Sequence, residues 1–130
     1  MANELVCIEA PTILVNRICA EATPIPKGTL MELSGDNTVL ASNADGDVFG
    51  GITVEEFKGG EGLTHVSCAM DGVWGTLTNG AVTLGAMCNI QAANTLSPAI
   101  AADLLTGNTC AKCEETAGGA AVTRMRFIGF

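Results

Sequence analysis

The sequence predicts an all-β fold, built around an internally duplicated hairpin unit and preceded by an N-terminal arm or strand. Three observations carry that prediction. Short runs rich in Val, Ile, Thr and Leu, the residues that fit a pleated surface, alternate with glycine-rich turns across most of the 130 residues. The makeup is unusual, with no Tyr and one Trp against 16 Gly. One stretch of chain is also written twice, first from Lys27 and again from Leu84.

The elements follow in order. Residues 1–23 hold few glycines and two Val/Ile/Leu-rich runs around Pro11, closed off by Pro24-Ile25-Pro26. This segment reads as one or two strands or an extended arm, and residues 24–130 as the β-rich domain proper. Lys27-Gly28-Thr29-Leu30-Met31-Glu32-Leu33 leads to Ser34-Gly35-Asp36-Asn37-Thr38-Val39, and Leu84-Gly85-Ala86-Met87-Cys88-Asn89-Ile90 leads to Gln91-Ala92-Ala93-Asn94-Thr95-Leu96. Each unit is a glycine, a short strand, a polar turn holding Asn-Thr and a second strand, which is a hairpin. A second echo follows in the same order, Glu55 to His65 against Glu114 to Arg124. It pairs His65 with Arg124 and sets Gly107-Asn108-Thr109-Cys110 beside the strand-like Gly50-Gly51-Ile52-Thr53-Val54. Leu63 to Met70 alternates as a strand, and Val122 to Phe130 closes the chain with another. Only Ala99 to Leu105 allows a helical turn.

Charge excludes several functions. Six Lys+Arg against 14 Asp+Glu give −8, and no basic cluster offsets it. A polyanion would be repelled, so nucleic acid is not an expected partner. Glu4 and Glu9 stand where a secretion signal carries positive charge, and Pro11, Asn16 and Arg17 break the apolar run. The uncharged stretch 72–102 is punctuated by Thr, Asn, Gln, Gly and Pro98, which reads as strands and turns rather than a membrane span. The expectation is a soluble protein made in a reducing cytosol, its six cysteines free and mostly buried.

Few residues promise chemistry. Cys110-Ala111-Lys112-Cys113 has the spacing of a zinc clip or a redox pair. On a regular strand, residues three apart face opposite sides, and only a bulge would let both thiols converge. The remaining cysteines are single and His65 is the only histidine, so no second pair of zinc ligands is evident. Glu114-Glu115 would raise a thiol pKa rather than lower it. Asn43-Ala44-Asp45-Gly46-Asp47 offers oxygens at alternate positions but lacks the later glutamate of a calcium loop, and reads as a turn. No catalytic residue, metal or cofactor is expected. Trp74 is read as a core aromatic or an anchor between subunits.

Residues 24–130 resemble the small decoration, or capsid cement, proteins of tailed bacteriophages. The likeness lies in the strand Gly28-Thr29-Leu30-Met31-Glu32-Leu33, the Gly35-Asp36 turn and Thr38-Val39-Leu40-Ala41. It continues through Asp47-Val48-Phe49-Gly50-Gly51-Ile52, Gly59-Gly60-Glu61-Gly62-Leu63, Asp71-Gly72-Val73-Trp74 and Thr83-Leu84-Gly85 to the final strand. The sequence departs from the family pattern at Gly107-Asn108-Thr109-Cys110, where an Ile/Val-rich strand is usual. The resemblance implies a β-barrel-like or β-tulip domain that binds the outside of an expanded capsid and clamps neighbouring major capsid subunits. It also implies a homotrimer, made in the host cytoplasm and carried on the virion surface, with no enzymatic activity. The apolar surface available for capsid or subunit contact is then Leu5, Val6, Ile8, Ile13, Leu14 and Val15, with Trp74. Those N-terminal residues either add to a neighbour's sheet edge or complete the protein's own barrel. The alternative reading is a small metal- or ligand-binding β-barrel that uses Cys110 and Cys113.

Overall fold

The computed structural model describes residues 4–20, 22–99 and 109–128. Residues 100–105, most of the stretch where the sequence allows a helical turn, lie outside them. Eleven strands run through the described residues: β1 (Val6–Glu9), β2 (Leu14–Ile18), β3 (Leu30–Gly35), β4 (Thr38–Ala41), β5 (Phe49–Thr53), β6 (His65–Ala69), β7 (Asp71–Thr78), β8 (Met87–Ala92), β9 (Thr95–Pro98), β10 (Thr109–Cys113) and β11 (Val122–Ile128). The all-β expectation holds.

Ten of these strands form two closed five-stranded barrels. The first runs β2-β4-β3-β5-β6 and returns to β2. The second runs β7-β11-β10-β8-β9 and returns to β7. Each is closed by one short parallel contact, Ile18 with Thr38 in the first and Leu77 with Thr95 in the second. All other pairings are antiparallel, and closure joins the end strands of each barrel over that short contact alone.

The duplicated hairpin is real, and its details repeat. Asn37 and Asn94 both take φ of 51° at the turn, a left-handed conformation that asparagine tolerates because its short amide bonds locally. Isolated bridges join Ile25 to Phe57 and Val82 to Ala117 at matching points. Gly28 and Gly85 share a φ of 84°. At Gly28 a second constraint is added, since a Cβ there would stand 2.5 Å from the Leu5 carbonyl oxygen.

The second echo holds in order but not in register. Strand pairing aligns Gly50 with Cys110 and Thr53 with Cys113, and His65 with Val122 rather than Arg124. The loop joining β5 to β6 is longer than the one joining β10 to β11, so no single offset fits both sides of it. His65 faces solvent in either register, because the slip is two residues and a strand alternates with period two.

The cores fuse. Cys19, Ile25, Met31, Val39, Phe57, Val66 and Cys68 fill the first barrel. A larger cluster runs from Leu30, Phe49, Ile52 and Met70 into Trp74, Ile90, Leu96, Met125 and Phe127 of the second. Phe49 stacks on Phe127 with centroids 5.3 Å apart. Asn94 reaches across, its Oδ1 accepting the Leu30 amide at 2.8 Å, and the Gly46 amide donates to the Ile90 carbonyl at 3.0 Å.

A candidate interaction surface

The N-terminal segment is divided between the two barrels. β2 is a stave of the first, pairing with β6 along its length. β1 leaves that barrel and lies antiparallel against β7 of the second, with Val6 opposite Gly75 and Cys7 opposite Trp74. Asp71 fixes the path between them: its carboxylate accepts hydrogen bonds from the Thr12 amide and hydroxyl and from the Ile13 amide, at 2.6–2.9 Å. Burial alone would raise the Asp71 carboxyl, but these bonds outweigh it and hold its pKa below the ordinary value.

β1 ends in a charged network. Glu9 pairs with Arg124 and, at 3.2 Å, with Arg126, while Glu114 meets the same two arginines at 3.0 and 2.6 Å. Glu9 and the two arginines belong to strands on either side of β7: Glu9 and Arg126 both stand opposite Val73, and Arg124 stands opposite Gly75. A hydrogen bond from Arg126, with one from Arg124 against a small cost of burial, pulls the Glu114 pKa down. Next to this network, Val122 and Ile8 close over Gly75 within 4 Å of where its Cβ would be. With Val6 they form an exposed apolar patch, at 65%, 48% and 67% exposure for Val6, Ile8 and Val122. Apolar residues rimmed by paired charges are how protein-binding surfaces are commonly built.

The residues predicted for an interface therefore separate. Val6 and Ile8 lie on this patch. Ile13 and Leu14 are exposed at the junction of the barrels, and Val15 is half-buried. Leu5 and Trp74 are core residues, and the Trp74 indole donates to the Asp71 carbonyl at 3.0 Å. Neither is surface that a partner reaches. Val122, Arg124, Arg126, Glu9 and Glu114 escaped the sequence reading. Their one signal was the alternation of Arg124 and Arg126 on the closing strand, which marks its solvent face.

The cysteines are placed for packing. Cys110 is the bulged residue of β10, and both it and Cys113 are buried on either side of the exposed Lys112. Burial pushes the Cys68 and Cys88 thiols up to about 12 and raises Cys110 as well, which suppresses the reactive thiolate. Cys7 is exposed. Among the described residues no three His, Cys, Asp or Glu side chains gather as metal ligands. An apolar cavity of about 150 Å³ lies at the mouth of the first barrel, beside Cys19, Ile25 and Val39, in the opposite barrel from Cys110 and Cys113. No helix among the described residues is long and apolar enough to cross a membrane.

No protein-family profile and no curated protein matches the sequence. A solved structure does match the fold: the N base of the head fibre gp8.5 of bacteriophage phi29. It has a TM-score of 0.57 and 14% identity, and the match covers 89% of this chain and 95% of that one. At that identity the likeness is one of fold. It takes in both barrels, since neither alone spans so much of the chain.

Proposed function

We propose that this chain is a structural protein of a tailed-phage head. It binds the outside of the expanded shell and clamps neighbouring major capsid subunits, with three copies grouped together. The observation that carries this reading is the double barrel shared, nearly end to end, with the base of a phage head fibre. The sequence resemblance to capsid decoration proteins points to the same place by an independent route. The patch of Val6, Ile8 and Val122 supplies a surface for it. Its charged rim is neutralised within the chain, so an acidic protein can dock there without carrying unpaired charge into the contact.

The test is incubation with emptied, expanded shells of the phage that encodes it, followed by pelleting and imaging. The wild type is expected to co-sediment and decorate the shell. Ile8→Asp and Val122→Asp, both at exposed positions, are expected to stay folded and to bind at least about tenfold more weakly, as when a buried apolar contact is replaced by a charge. A wild-type protein that stays in the supernatant at every shell concentration overturns the reading.

A further inference from the structure

The edge of β7 that carries β1 has a counterpart in the first barrel, and none of the described strands covers it. The closing contacts align Ile18 with Leu77, which places Leu14, Val15 and Asn16 where Val73, Trp74 and Gly75 stand. In the second barrel those three residues are paired by Glu9, Cys7 and Val6. In the first, the amides and carbonyls of Leu14 and Asn16 point away from β6. Alternation requires this, because the Ile13 carbonyl and Cys19 amide bond toward β6 and the Ile18 amide bonds away from it. Among the described residues no strand pairs with this edge ahead of Ile18. The Asn37 side-chain amide covers only the Asn16 carbonyl, at 3.1 Å. Leu14 is 58% exposed and Ile13 44%. A short apolar edge with free hydrogen-bonding groups is a template for strand addition.

We infer that the β2 edge at Leu14–Asn16 accepts an extended strand from a different protein, laid antiparallel as β1 lies on β7. Two features favour another protein over a second copy. Apart from this same short edge, every described strand of the chain is already paired within the chain, and a second copy brings a further −8 of charge. The incoming segment is therefore uncharged or basic, with apolar side chains beside Leu14 and Ile13. On the reading proposed above, it is an exposed extended segment of the shell protein.

The test uses the intact chain with two probes. The first is a synthetic peptide of residues 5–11 with Cys7→Ser and Glu9→Gln, which mimics the strand accepted by the equivalent edge. The second is the emptied shell. The peptide is expected to slow hydrogen exchange at the Leu14 and Asn16 amides. Leu14→Pro removes an N–H that is free in the unbound protein and is expected to weaken peptide binding about tenfold or more. Leu14→Lys checks that the loss is not one of folding alone, since it keeps the amide and is expected to retain protection. Protection confined to Val73–Gly75, no protection at all, or peptide-independent dimers that shield Leu14 would each overturn the inference. Shells separate the two claims. If the wild type binds shells and Leu14→Pro binds equally well, the head-protein reading stands and the strand-acceptor inference falls. If the wild type does not bind shells, that reading falls and the peptide decides the inference alone.

Discussion

Asn37 and Asn94 occupy the same point of two equivalent hairpins, with the same backbone angle, yet one faces solvent and the other is 2% exposed. Asn37 bonds to its own barrel, accepting from Arg17 and donating to the Asn16 carbonyl. Asn94 bonds across to Leu30 of the other barrel. The same contrast recurs at Val15 and Trp74, one half-buried and one enclosed, and at the two edges, one covered by β1 and the other by none of the described strands. Duplication supplied two similar shells. Docking one on the other gave the second copy of each pair its distinct role, because residues facing the junction lose water and must satisfy their polar groups there.

Substitutions at matched positions break this comparison most sharply. Trp74→Ala should cost about 3–5 kcal/mol of unfolding free energy, the range for truncating a large buried aromatic. Val15→Ala should cost well under half of that. Denaturant titration of both variants checks it, and equal losses would mean that the junction is not where stability is concentrated. Asn94→Ala should follow at about 2–3 kcal/mol, because it strands the buried Leu30 amide and puts alanine at positive φ. Asn37→Ala should lose about 1 kcal/mol, the cost of alanine at the same positive φ, since water can replace its hydrogen-bond partners.

A smaller effect lies in the acid limb. The Asp71 carboxyl is held below its ordinary 3.8. A group whose folded pKa is depressed adds stability above its unfolded pKa and loses it as pH falls through the folded value. Wild-type stability should therefore drop below about pH 4 more steeply than that of Asp71→Asn, as measured by unfolding midpoints across that range. Smallest is a difference in thiol reactivity. Cys7 should react quickly with a thiol reagent in the native state, whereas Cys68, Cys88 and Cys110 should wait for unfolding. Rapid native labelling at Cys110 would mean that β10 opens.

Much of this was legible in the sequence. Glycine placement, β-branched runs and the hairpin repeated from Lys27 and from Leu84 are local signals, and they survived intact. The register of the second echo was not legible, because similarity between Gly/Ala-rich segments is blind to loops of unequal length. Only strand pairing showed that Cys110 corresponds to Gly50. Nor was the partition of the N-terminal segment, since β1 lies on β7 and its Glu9 pairs with Arg124 and Arg126, all far along the chain. The role of Trp74 followed from the docking of the barrels, which no window of sequence contains.

The path of β1 also sets an order of assembly. All five staves of the first barrel have been synthesised once Ala69 is in place, so that barrel can close while the second is still being made. β1 is made before that barrel, yet β7 comes after it, and the arginines that grip Glu9 come later still. A strand made ahead of the first barrel is thus secured only after it, and Val6 and Ile8 stay unpaired until β7 is made. A nascent chain stalled before Arg124 would present a finished barrel trailing a loose apolar strand, the form most exposed to proteases and to pairing with its neighbours.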